Sequence, residues 1–234
     1  YPTIFFGSHD MARFPSRFQF NTDQAKNLFT LMMSFRGIPF IYFGDEIGME
    51  NYTCYTRDDA RDIQGVIAYE QAKAAGKSEE EAIRILNRQS RDHSRNTMYW
   101  DDSAYGGFSQ TAPWINYQKQ SGQSAAEQME DPESLYSYVS ELARIRTGET
   151  VLAEGSCDVD SPQDGVIVLK RTYGGTQIWT VVNFSGKTYE MQKEGCWRDA
   201  SGIMIMSRQD AVQEEENKLL IHGESSVMWR YCDE

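Results

Sequence analysis

Three residues whose side chains can do chemistry, His9, Asp10 and Arg13, crowd into the run Ser8-His9-Asp10-Met11-Ala12-Arg13, and a second acidic pair, Asp45-Glu46, follows one helix later. An arginine close to a carboxylate favours its ionised form, so Arg13 reads as the partner of a carboxylate in the same pocket. If neighbouring strands carry Asp10 and the Asp45-Glu46 pair, two carboxyls could stand ~5 Å apart, a spacing suited to a nucleophile and a proton donor. Structural hydrogen bonding is the competing and favoured reading for Asp45 and Glu46.

The elements that must position these groups are short apolar runs. Thr3-Ile4-Phe5-Phe6-Gly7 and Ile38-Pro39-Phe40-Ile41-Tyr42-Phe43-Gly44 lack two-residue alternation and stop at Gly, then at charge. Parallel strands buried on both faces read this way. Between them Asn21, Thr22 and Asp23 are candidate caps, and Ala25, Leu28, Phe29, Leu31, Met32 and Phe35 form a helical stripe closed by Gly37. The unit is strand, helix, strand, and in a (β/α) barrel the carboxyl ends of strands face the active site.

Ser8-His9-Asp10-x-x-Arg13 with Ser16-Arg17-Phe18 resembles the Asn-His-Asp motif of the α-amylase superfamily of glycoside hydrolases. Gly37-Ile38-Pro39 through Gly44-Asp45-Glu46-Ile47-Gly48-Met49 is similar to the family's last barrel strand. Ser90-Arg91-Asp92-x-x-Arg95-x-x-Met98-x-Trp100-Asp101 resembles a motif of its α-glucosidase branch, that of the oligo-1,6-glucosidases and trehalose-6-phosphate hydrolases. Gly107-Phe108-Ser109, Pro113-Trp114-Ile115 and Asp131-Pro132-Glu133-Ser134-Leu135 keep the same order, so the resemblance covers essentially the whole chain.

The resemblance implies a retaining α-glucosidase that hydrolyses short α-linked gluco-oligosaccharides. In that family the nucleophilic Asp and the acid/base Glu lie on strands ahead of the His-Asp motif, so the chain is expected to be the carboxyl-terminal portion of a larger enzyme and inactive alone. The implied catalytic residues here are Asp10, as transition-state stabiliser, and His9. Substrate binding falls to His9, Asp10 and Arg13, the last near the pocket rim, while the stretch around Glu46 shapes the barrel end. Arg91, Asp92 and Arg95 read as an ion-pair cluster organising a loop, and Trp100 and Trp114 as core or interface residues rather than ligands. Two departures stand out: Ser8 replaces the usual Asn, and Asn96-Thr97 replaces the usual Thr-Pro, which predicts a less rigid loop.

Beyond Met49 a polar segment at about 52–130 interrupts the barrel. It opens a helix with the capping box Ser78-Glu79-Glu80-Glu81, and the stretch from Gln118 to Gln128 reads as a mobile link. Asp131 as N-cap and Pro132 at the first helical position then introduce the stripe Leu135, Tyr138, Val139, Leu142 and Ile145, ending at Gly148. From Val151 on, short β-rich runs flank Gly174-Gly175 and Gly223, as in an antiparallel sandwich. The fold class expected is therefore α/β plus all-β: the last β/α units of an incomplete (β/α)8 TIM barrel at 1–150, then a carboxyl-terminal antiparallel β-sandwich domain at 151–234.

With 234 residues and 40% hydrophobic content the chain can bury a sizeable core, and a net charge of −12 argues against nucleic acid or anionic membranes as partners. Cys54, Cys157, Cys196 and Cys232 are widely spaced and read as free thiols of a cytoplasmic protein. His9, His93 and His222 are too far apart for a zinc signature, and neither metal nor cofactor is expected. The expected partners are the α-linked gluco-oligosaccharide substrate and the missing amino-terminal half of the barrel, with self-association through exposed strand edges. Two alternatives stand: a transglycosylating or isomerising relative of the trehalose synthase or sucrose isomerase kind, or an inactive sugar-binding or partner-binding homologue.

Overall fold

The computed structural model describes residues 1–19, 21–120, 122–193 and 197–232. In chain order, β1 (Thr3–Phe5) leads to the short helix α1 (Phe14–Phe18), the long helix α2 (Thr22–Ser34) and β2 (Ile38–Phe40). Helices α3 (Ile63–Ala74), α4 (Glu79–Gln89), α5 (Ala125–Glu130), α6 (Leu135–Gly148) and α7 (Thr150–Glu154) follow. Strands β3 (Ser156–Asp160), β4 (Val166–Tyr173), β5 (Thr176–Asn183), β6 (Tyr189–Gln192), β7 (Ile203–Met206), β8 (Val212–Glu214), β9 (Lys218–Ile221) and β10 (Ser225–Cys232) complete the chain. Contacts divide it into two compact units, one of residues 1–4, 20–40 and 133–234 and one of residues 5–19 and 41–132.

In the first unit a five-stranded antiparallel sheet, ordered β3-β4-β5-β10-β7, stands with a three-stranded antiparallel sheet, β6-β9-β8. Val168, Val181, Val227 and Trp229 of the wide sheet share one core cluster with Met191, Leu219 and Ile221 of the narrow one. The hairpin of β4 and β5 turns on Gly174 and Gly175, whose φ of 56° and 80° are the positive values a tight two-residue hairpin requires. The runs around Gly223 behave otherwise. β9 pairs with β6 and β8 while β10 pairs with β5 and β7, so Gly223 marks a crossing between sheets, not a hairpin. It passes so close to the backbone of Ser185 and Gly186 that a side chain would collide there.

The other face of the wide sheet receives α2, against which α6 packs. Asn21 caps α2 in a reciprocal box with Gln24, the first of the three candidate caps. Hydroxyls stitch the helices to the sheet: Ser34 Oγ donates to Thr180 Oγ1 at 3.0 Å, Ser226 Oγ to Thr30 Oγ1 at 3.1 Å, and Thr30 Oγ1 lies 2.7 Å from Tyr138 OH. The carbonyls left unpaired at the end of α2 are taken by two buried arginines. Arg146 donates to Met33, Phe35 and Gly37 at 2.7–3.0 Å, and Arg171 to Ser34 at 3.0 Å. α6 begins at Ser134, whose Oγ accepts from Ser137 N at 3.1 Å, three residues later than the expected cap at Asp131. Asp131 instead ends α5.

β1 and β2 form a two-stranded sheet, and here the structure departs from the expectation of strands buried on both faces. Phe5, Ile38 and Phe40 are 46%, 52% and 56% exposed. A ladder of two strands leaves its outer edges and much of its apolar surface uncovered.

The second unit is a loop-rich body around the helical hairpin α3 and α4, the latter started by the reciprocal Ser78–Glu81 box. Its core joins Tyr52, Cys54, Ala60, Leu86 and Ile115. Of the stretch expected to be mobile, Ser121 lies outside the described residues, and side chains on both sides of it are tied down. Gln118 and Gln120 accept from the Thr53 and Glu50 amides at 3.0 and 2.8 Å, and Ser124 caps α5 with Glu127. Cys54 and Cys157 are free thiols. Cys196 and the Cys232 side chain lie outside the described residues. Among the described residues no helix is long and apolar enough to cross a membrane.

Candidate active site

Asp10 sits in a turn just past β1. The Ser8 hydroxyl accepts the Asp10 amide at 3.2 Å, so the serine that replaces the expected asparagine folds the turn locally. His9 Nε2 stands 3.4 Å from Asp10 Oδ2, and the Asp10 side chain is 51% exposed. Its other oxygen, Oδ1, receives two guanidinium groups, one from a short 3-10 turn, Arg91–Ser94, that Ser90 caps, and one from Arg95, which ends that turn. Arg95 Nη2 donates to Oδ1 at 2.8 Å and Arg91 Nη1 at 3.4 Å. Arg95 also fixes the turn itself, its Nε donating to the His9 carbonyl at 2.8 Å. Partial desolvation pushes the Asp10 carboxyl up, but the Arg95 hydrogen bond and the charges of His9, Arg91 and Arg95 outweigh it and hold the group below its ordinary range.

Arg91 is shared with a second acid. Asp62, at the start of α3, takes Arg91 Nη2 at 2.8 Å, Arg91 Nε at 3.3 Å and the Arg91 amide at 2.9 Å. In return the Asp92 carboxylate accepts the amides of Arg61 and Asp62 at 2.7 and 2.9 Å, so two Arg-Asp dipeptides clasp each other. Asp62 occupies the N-cap position of α3 without capping it, its carboxylate being committed to Arg91.

Arg13, expected to bind substrate at the pocket rim, lies instead fully inside the unit. Its amide reaches Asn51 Oδ1 at 2.8 Å, and its guanidinium donates to Asp45 Oδ1 and Asn96 Oδ1 at 3.3 Å each and to the Phe43 carbonyl. The faces of Tyr42 and Phe43 lie 4.9 and 4.7 Å from it. Burial pushes the Asp45 carboxyl up to about 6 against the opposing pull of Arg13, and burial likewise lowers Arg13. Asp45 therefore joins a buried ion pair, the structural role favoured for it. Gly44, at φ 84°, lets the chain turn here, since a Cβ would strike Met49 Sδ and Arg13 Nη1.

Three other outcomes bear on the site. Asn96 is buried, with its amide donating to the Glu50 carbonyl at 3.3 Å and accepting from Arg13, so the loop expected to be loose is cross-linked. Trp100 and Trp114, expected in a core or interface, are exposed, although their backbones are anchored to Gly106 and to Arg61 Nε. Arg91 and Arg95, read from the sequence as part of an ion-pair cluster organising a loop, both pair with Asp10, and Asp62, the acid behind Arg91, is the candidate that sequence reasoning missed.

Known proteins resemble this chain over most of its length. The family model for the α-amylase catalytic domain matches residues 1–155. An oligo-1,6-glucosidase of Halalkalibacterium halodurans is 30% identical over 92% of this chain and 39% of its own length. One from Parageobacillus thermoglucosidasius is 33% identical over 80% of the chain and 34% of its own length. Among solved structures, trehalose-6-phosphate hydrolase of Bacillus licheniformis superposes on 99% of the chain with 43% of its own, at TM-score 0.81 and 26% identity. Trehalulose synthase of Pseudomonas mesoacidophila covers 97% of the chain with 42% of its own, at TM-score 0.80 and 30% identity. The chain thus spans well under half the length of these relatives, and it belongs to the α-amylase family.

Proposed function

We propose that the protein carrying this chain is a retaining α-glucosidase acting on short α-linked gluco-oligosaccharides, with this chain as its carboxyl-terminal part. On this reading residues 1–150 supply the closing units of the (β/α)8 barrel, interrupted by the insertion at about 52–130, and residues 151–234 form the β-sandwich domain. The nucleophilic and acid/base carboxyls come from segments outside the sequence, so the chain alone does not turn over substrate. The observation that carries the proposal is the half-exposed Asp10 carboxylate, gripped on Oδ1 by Arg95 and Arg91 and open on Oδ2 beside His9.

Glycoside hydrolysis passes through a cationic, oxocarbenium-like state. A carboxylate kept ionised by flanking arginines can accept hydroxyl hydrogen bonds from the sugar that strengthen as that charge develops, which lowers the barrier rather than merely tightening binding. His9 Nε2, beside Oδ2, is placed to donate to the same ring. Arg13 serves from within, pinning Tyr42, Phe43 and Asn96 around the turn.

A second reading is an isomerising relative, which the 30% identity to trehalulose synthase favours. Both readings use the same residues and differ in whether water or a sugar hydroxyl takes the glycosyl group. Product analysis of the full-length protein on isomaltose and sucrose tests them. Glucose release from isomaltose supports the glucosidase, rearranged disaccharide from sucrose supports the isomerase, and silence on both overturns the two together.

A further inference from the structure

Among the described residues, Arg91 is the only side chain that touches both the exposed carboxylate Asp10 and the buried carboxylate Asp62. Its guanidinium has two usable edges. The Nε and Nη2 edge forks onto Asp62, and that same carboxylate takes the Arg91 amide, so backbone and side chain are fixed by one acid. Nη1 is what remains, and it points at Asp10 Oδ1. Asp62 has a side chain only 2% exposed, it is anchored in turn by the amides that Asp92 binds, and it makes no cap to α3. The Asp62 carboxylate thus spends its hydrogen-bonding capacity on Arg91 and not on the free amides at the start of α3.

We propose that Asp62 is a positioning residue, holding Arg91 so that Nη1 meets Asp10; its consequence for turnover rests on the proposed reading of Asp10. The groups facing Asp10 are His9 from its own turn, Arg91 from the 3-10 turn, Arg95 at the end of that turn, and Tyr42 beyond β2, with Asp62 behind Arg91. Simple electrostatics and positioning then predict opposite signs. Removing the Asp62 charge with Arg91 left in place would make Asp10 easier to ionise. Releasing Arg91 makes Asp10 harder to ionise.

The test is a carboxyl-carbon NMR titration of Asp10 in the full-length protein labelled at aspartate, assigned by loss of the signal in Asp10→Asn. Asn at position 62 keeps an oxygen for the Arg91 amide and removes the charge. Asp62→Asn and Arg91→Met are each expected to move the Asp10 midpoint upward, and the double variant to match Arg91→Met alone. A downward or absent shift in Asp62→Asn, or additive shifts in the double variant, overturns the proposal. Should Asp62→Asn fail to fold, Arg91→Lys retains the charge but not the fork, and the midpoint is expected to rise; no rise overturns it. The titration does not depend on what Asp10 does to a substrate. On the enzyme, Asp62→Asn is expected to lower kcat by roughly tenfold to a hundredfold with KM nearly unchanged, and Asp62→Glu to restore part of it.

Discussion

Arg95 holds Asp10 at two points of one turn, donating Nη2 to its carboxylate and Nε to the carbonyl of His9, both at 2.8 Å. Backbone and side chain of the candidate site are thereby set by one residue that lies 85 positions further along the chain. This is an arrangement in which the cation orients the acid as well as keeping it ionised.

Arg95→Met should therefore act on acid tolerance before anything else. The Asp10 carboxyl now titrates below its ordinary range: partial desolvation pushes it up, and the Arg95 hydrogen bond together with the charges of His9, Arg91 and Arg95 outweighs that push. With that bond gone, protonation sets in at higher pH. The acidic limb of the kcat/KM profile is expected to move toward neutrality, and a profile that keeps its acidic limb would remove Arg95 from this role.

The buried pair Arg13–Asp45 gives a stability prediction with a definite sign. Asp45 is raised from 3.8 to about 6, so its contribution to stability is fully present below the unfolded value near 3.8 and is lost as pH rises through about 6. The free-energy equivalent of moving a carboxyl from 3.8 to about 6 is at most about 3 kcal/mol. Denaturation midpoints of the wild type should fall across pH 4–7 more steeply than those of Asp45→Asn, in which this titration is absent. Parallel slopes in the two proteins would contradict it.

Arg171 gives a test free of titration. It donates to the carbonyls of Ser34, Gly155 and Ser156 at 2.7–3.0 Å from a fully buried position. Arg171→Met fills the space but orphans those acceptors, and a loss of roughly 2–4 kcal/mol in urea denaturation is expected. An unchanged midpoint would mean that other donors or water replace the guanidinium.

Asn183, part of an Asn-Phe-Ser triplet, is a second buried polar anchor. Its amide donates to the carbonyls of Lys187, Ile221 and His222 at 2.8–3.1 Å and accepts from Ser185. Asn183→Ala should cost about 2–3 kcal/mol by thermal denaturation, against little or no effect if these bonds were dispensable.

Sequence patterns carried the local structure well where a side chain acts on its own neighbours. The Ser78 box, the Gly174-Gly175 hairpin and the helical stripe of α2 all depend on contacts a few residues apart. The long-range partners were harder to read. Nothing near Asp10 announces Arg91 and Arg95, which reach it across more than eighty residues, or Asp62 behind them. The resemblance implied a place near the rim for Arg13, whereas two aromatic faces and three acceptors, the expected carboxylate partner among them, accommodate it inside. The runs flanking Gly223 look like a hairpin in sequence, and only the tertiary pairing sends them to different sheets.

The most direct test of the account is hydrolysis of a chromogenic α-glucoside by the full-length protein, wild type against Asp10→Asn. Loss of several hydrogen bonds made only in the transition state should reduce kcat on the order of a thousandfold, with KM changed far less and the fold intact by circular dichroism. An Asp10→Asn protein within tenfold of wild type would contradict the assignment of Asp10, and with it the reading of this site.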